Sequence, residues 1–79
     1  MIKLKEIKRN SEIITCKAYV EDCEEAISLS FDISASTLKD VTLPQGYDWC
    51  DSHIFHAKDY LMEIASKETI PNNHTIMWY

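Results

Sequence analysis

Seventy-nine residues with a formal charge of −5 describe one small acidic domain, which buries only about 60–65% of its unfolded surface and so has a thin core. Apolar residues make up 46% of the chain, too many for a disordered tail, and a single glycine, Gly46, excludes a glycine-rich phosphate loop. The charge is uneven: Lys3, Lys5, Lys8 and Arg9 against Glu6 give residues 1–10 a balance of +3, so the other sixty-nine sum to −8. Over most of its area such a surface repels phosphate backbones, and the sequence predicts no general nucleic-acid binding.

Residues 2–9 alternate as a strand, with Ile2, Leu4 and then Ile7 on the apolar side. The change from even to odd positions predicts a bulge or strand end near Glu6. Its lysines suit an edge strand that avoids pairing with other chains. Asn10 and Ser11 make a turn. A second strand spans 12–20, where Ile14, Cys16, Ala18 and Val20 face one way, and Ile13, Thr15, Lys17 and Tyr19 the other. The acidic stretch Glu21 to Glu25 reads as a solvated hairpin loop.

Ile27, Leu29, Phe31 and Ile33 alternate with Ser28, Ser30, Asp32 and Ser34, the pattern of an antiparallel strand with one wet side. A shorter fourth strand is expected over 38–43, stopped by Pro44, which has no N–H for a ladder. A helix is expected over 50–66, with Asp48 as N-cap and Asp51 near the positive helix end. Cys50, Ile54, Ala57, Leu61, Ile64 and Ala65 fall in a stripe about 100° wide that matches the apolar face of the sheet. After a connector around Pro71, residues 74–79 form a last strand, expected at an edge beside the first strand and parallel to it. Residues 1–79 therefore form a single α+β domain: a small antiparallel sheet in the order β-β-β-β-α-β, with one helix packed on one face.

Three cysteines, Cys16, Cys23 and Cys50, are an odd number without framework spacing, which predicts reduced thiols and a cytoplasmic location. The alternating start carries no apolar run of a signal peptide, and no stretch approaches the roughly 20 apolar residues of a membrane span.

Cys50, His53 and His56 have side chains that zinc accepts. Residues three apart share a helix face, but Cys50 and His56 lie about 120° apart, and a fourth ligand such as His74 would come from the far end of the chain. The same thiol and imidazole could make a nucleophile pair, yet no oxyanion hole or cleft accompanies them. Ser52, His56 and Asp59 share one exposed helix surface and make no triad. The sequence thus assigns no catalytic residue, no cofactor and no metal.

Aromatic residues give the other signal. Tyr47 and Trp49 sit at the helix entry, Trp78 and Tyr79 end the chain, and Phe55 and Met62 lie outside the core stripe. Either Phe55 and Met62 widen the buried face, or the six form a partner surface, since such side chains anchor interfaces. The leading expectation is a non-enzymatic protein-interaction module in the form of a homodimer. The alternatives are an acidic inhibitor or mimic that docks on a basic partner site, and a small metal-binding protein using Cys50, His53 and His56.

Overall fold

The computed structural model describes residues 1–39 and 41–77. Strand β1, Ile2–Arg9, pairs antiparallel with β2, Ile13–Val20, around a turn tied by Asn10. The Asn10 side-chain oxygen accepts from the amides of Glu12 and Ile13, each at 2.8 Å, the Asx arrangement that makes asparagine a turn residue. Strand β3, Ile27–Asp32, pairs with β2, and β4, Thr37–Leu38, pairs with β3. Asp32 fastens that second hairpin. Its carboxylate accepts from the Ala35 amide and the Ser34 hydroxyl, and these bonds hold it below the usual carboxylate range.

Helix α1, Asp51–Ala65, then crosses the sheet, and β5, His74–Ile76, joins its far side, giving the order β4-β3-β2-β1-β5. The fold is the small α+β architecture that alternation and helical periodicity predict. Its inner layer holds Ile2, Leu4, Ile14, Cys16, Ala18, Val20, Leu29 and Phe31, all buried against Cys50, Ala57, Leu61 and Ile64. Phe31 and Leu61, 1% and 0% exposed, are both turned inward.

The bulge falls where parity changes. Lys5 faces Lys17 and Lys8 faces Thr15, so Glu6 and Ile7 together oppose Cys16. Glu6 adopts φ 53, a left-handed conformation that a non-glycine residue enters at a cost. Its amide and that of Ile7 turn to the connector before β5, donating to the Asn73 side chain at 3.4 Å and the Asn72 carbonyl at 2.8 Å.

Several expectations are corrected. The last strand runs antiparallel to β1, not parallel. A meander of four strands leaves β4 antiparallel to β1, and one helix returns the chain to the end where β4 began, so β5 follows β4's direction. Because β5 pairs with Ile2–Leu4, β1 is an inner strand there, and Lys3 guards no edge. The fourth strand spans two residues instead of six: the ladder ends with the Lys39 amide on the Ser30 carbonyl, and Val41 and Leu43 pack half-buried in a loop. Asp48 does not cap the helix. It opens a 3-10 turn, Asp48–Cys50, in which the Tyr47 carbonyl accepts from the Cys50 amide at 2.9 Å. Of the expected last strand, 74–76 are paired and Trp78 and Tyr79 lie outside the described residues.

Arg9 closes the other end of the helix. Its guanidinium donates to the carbonyls of Ile64 at 3.1 Å, Glu68 at 2.9 Å and also Lys67. The Ile64 carbonyl also accepts from the Ser66 and Lys67 amides, and the Lys67 and Glu68 carbonyls follow the helix; a cationic fork there meets the partial negative charge of the helix end. Arg9→Ala is expected to lower stability by about 1–3 kcal/mol, seen as a lower urea midpoint at unchanged slope. An unmoved midpoint would mean that water serves these carbonyls equally well.

Candidate functional site

The candidate residues separate into two places. At the helix entry, the turn Pro44 to Tyr47 closes on the Tyr47 amide, which donates to the Pro44 carbonyl at 3.0 Å, while Gly46 takes φ 87. That left-handed position suits the one residue without a Cβ. The Trp49 indole N–H donates back to the Gly46 carbonyl at 3.0 Å, and its ring stacks on Tyr47 with centroids 6.2 Å apart. Trp49 also meets the edge of His53 at 5.7 Å, and is 63% exposed.

Opposite this entry lies the end of β2. Glu21 adopts φ 49, its amide donating to the Met1 carbonyl at 3.0 Å. Its carboxylate is thereby brought over the helix: Oε1 lies 2.7 Å from His53 Nε2 and accepts from the Met1 ammonium at 3.0 Å. Next to it, the Tyr47 hydroxyl donates to Asp22 Oδ1 at 3.0 Å, and that bond to a carboxylate pushes the phenol up to about 12. The acidic stretch is therefore not wholly a solvated tip, since Glu21 and Asp22 lock the β2 end to the helix entry.

His53 is 5% exposed, more deeply set than its place on the helix flank predicts. A buried imidazole needs a polar partner, and Glu21 supplies one from thirty-two positions away. Cys50 is fully buried in the core stripe. Burial pushes its thiol up, and the nearby Glu21 charge adds to this. His56 is half-buried one turn beyond His53, and His74, from β5, stacks on Tyr60 at 4.1 Å with rings 3° from parallel. Among the described residues, no group of three or more His, Cys, Asp or Glu side chains is arranged to hold a metal ion.

The second place is the flank of α1 that faces the β4 edge. Phe55 and Met62 do not widen the buried face: they are 68% and 44% exposed. They sit seven positions apart, on the same side as Asp51 and Lys58. Two adjoining grooves run beside them. One, of about 320 Å³, lies between Thr37, Leu38, Lys39, Val41, Ile54, Phe55 and Lys58. The other, of about 360 Å³, lies between Val41, Leu43, Ile54, Phe55 and Asp51. The helix supplies one wall of each, and the loop after β4 the other. Leu38, Val41 and Leu43 each keep part of their surface in contact with the core.

No cysteine is bridged. Burial pushes the Cys16 thiol up to about 12, whereas Cys23 is half-buried, its thiol donating to the Glu25 carbonyl at 3.7 Å. A thiol-specific disulfide reagent is therefore expected to modify Cys23 alone in the native protein, with Cys16 and Cys50 reacting only on unfolding. Because Cys16 is held neutral, its contribution to stability is complete below its ordinary value of 9.0 and is lost as pH rises toward about 12. Rapid native labelling of all three would contradict the packing.

No helix of the described residues is long and apolar enough to cross a membrane. No protein-family model, curated protein or solved structure matches the chain.

Proposed function

We propose that this chain is a non-enzymatic protein-interaction module that pairs with a second copy of itself through the Phe55 flank of α1. The observation that carries the reading is Phe55, 68% exposed on α1 and bordered by grooves whose walls include Leu38, Val41, Leu43 and Ile54. A large exposed apolar group with apolar surroundings is the kind of feature that marks an interface, whereas scattered apolar residues do not.

Charge supports a second copy as the occupant. Asp51 and Lys58 border the grooves, and the midpoint between them falls between Ile54 and Phe55. Two such helices, packed antiparallel about a two-fold axis at that midpoint, put each Asp51 opposite the partner's Lys58. They also bring Ile54 and Phe55 of one copy against Phe55 and Ile54 of the other. A two-fold interface requires this self-complementarity and closes without leaving a free end. The apolar patch is small, which places the pair in the weak, reversible range of association.

Sedimentation velocity over a concentration series tests the reading. A monomer–dimer equilibrium is expected, abolished by Phe55→Asp and weakened by Asp51→Lys. The double variant Asp51→Lys with Lys58→Asp is expected to restore it, because the pairing is only reversed. A monomer at every concentration, or a dimer indifferent to Phe55→Asp, would remove the proposal.

A further inference from the structure

The outer face of the sheet, turned away from α1, gathers charge that the sequence spreads over fifteen positions. Register sets Lys3 beside Tyr19, Lys5 beside Lys17 and Lys8 beside Thr15, all on the side opposite the core. Next to them come Ser28, paired with Lys17, and Ser30, paired with Thr15. Half of the chain's eight basic residues thus stand on one exposed face of an otherwise acidic protein. An open groove of about 340 Å³ runs between Lys8, Lys17, Thr15, Ser28 and Ser30, with Glu6 at its border. Lys5 and Lys17 are direct cross-strand neighbours, and like charges so placed oppose folding.

We infer that this face docks a short, extended acidic peptide segment. In extended chain, alternate side chains recur about every 6.4–6.8 Å, as do Lys3 and Lys5 along β1. Alternate carboxylates on a peptide laid along that strand therefore meet successive ammonium groups, and Lys17 and the hydroxyls of β2 and β3 flank the same track. The basic run from Lys3 to Lys8 extends about 16 Å. Its Lys3 end meets Glu21, Asp22 and Glu24, so a longer anion is repelled beyond a few residues.

A nucleic-acid strand fits less well. Tyr19 is the aromatic side chain of these paired rows, and the Lys5 ammonium already stands 5.4 Å from its ring centre, so bases find no stacking platform. Arginine, which grips phosphate with two parallel bonds, is absent from the face, since Arg9 points to the helix end. A second copy is disfavoured too, because this face against itself sets lysine on lysine.

The probe is a blocked peptide of alternating glutamate and serine, six residues long, titrated at low salt and followed by amide chemical shifts. Shifts confined to β1, β2 and β3 around Lys5, Lys8 and Lys17 are expected, weakening as salt rises. Lys17→Glu is expected to weaken binding about tenfold. Lys17→Gln is expected to weaken binding while raising the melting temperature of the free protein by about 1–5 °C, as the Lys5–Lys17 repulsion is removed. Absence of shifts at millimolar peptide, shifts on the helix side, or unchanged affinity in Lys17→Gln would overturn the inference. So would tighter binding of a six-nucleotide oligothymidylate than of the peptide. Monomeric Phe55→Asp is expected to bind the peptide as well as the parent protein, so failure of the pairing on α1 and failure here are read separately.

Discussion

Burial of one stripe of α1 on the inner face of β1 and β2 is the contact on which the molecule depends. The sheet is one layer thick, and α1, with Val41, Leu43, Tyr47 and Ile70 from the flanking loops, covers its apolar side. Small side chains lie on both sides of this junction: Cys16 and Ala18 from the sheet, Cys50 from the 3-10 turn and Ala57 from the helix, each 4% exposed or less. Small residues let a helix approach a sheet closely, while Ile14, Leu29, Phe31, Leu61 and Ile64 fill the volume around them. A core of this size contains few side chains that can be spared. Both ends of the helix are accordingly fixed by polar contacts that reach across the fold: Glu21 to His53 at the start and Arg9 to the last carbonyls. These contacts set where along the sheet the helix lies, which hydrophobic burial alone leaves loosely determined because it has no direction.

Local pattern foretold the parts of this fold that local forces decide. The alternation of β3 and the change of parity between Leu4 and Ile7 are properties of neighbouring residues. The same holds for the Asn10 turn and the helical stripe; they appear where the sequence places them, except that β3 ends at Asp32 with Ile33 and Ser34 in the following turn, and Ile54 and Ala65 of the stripe are only half-buried. The fourth strand came out shorter because Val41 and Leu43 are apolar for another reason: they cover the side of the helix from a loop. The direction of β5 depended on counting chain reversals through the entire topology, which no window of residues contains.

The candidate site was less legible, for the same reason. His53 looks like one of several polar residues on a helix flank until Glu21 arrives from a left-handed turn thirty-two positions earlier. Arg9 looks like part of a basic start until its guanidinium reaches the helix end. In both cases the partner is distant in sequence, and nothing near either residue announces it. Phe55 and Met62 were visible as aromatic and apolar residues outside the stripe, but only the position of the loop after β4 decides that they stay exposed. Trp49 was legible as an entry residue. Its stacking on Tyr47 and its edge contact with His53 make it part of the lock at that end, even though most of its surface faces water.

A one-helix, one-sheet domain has two outward surfaces, and here they differ in chemical character. The helix flank is apolar, with Asp51, Lys39 and Lys58 at its rim, and its Asp51 and Lys58 can complement each other under a two-fold operation. The sheet's outer side is lined by lysines and hydroxyls and cannot complement itself, because like charges meet under any two-fold operation centred on Lys5 and Lys17. This asymmetry also bears on stability. A lysine pair across adjacent strands works against the fold, and in so small a domain a few tenths of a kcal/mol is a noticeable fraction of the total. Nothing in the inner packing requires Lys17 to be basic, since its neighbours on the same face are exposed. Lys17 thus adds to the charge of the outer face and not to the packing of the core.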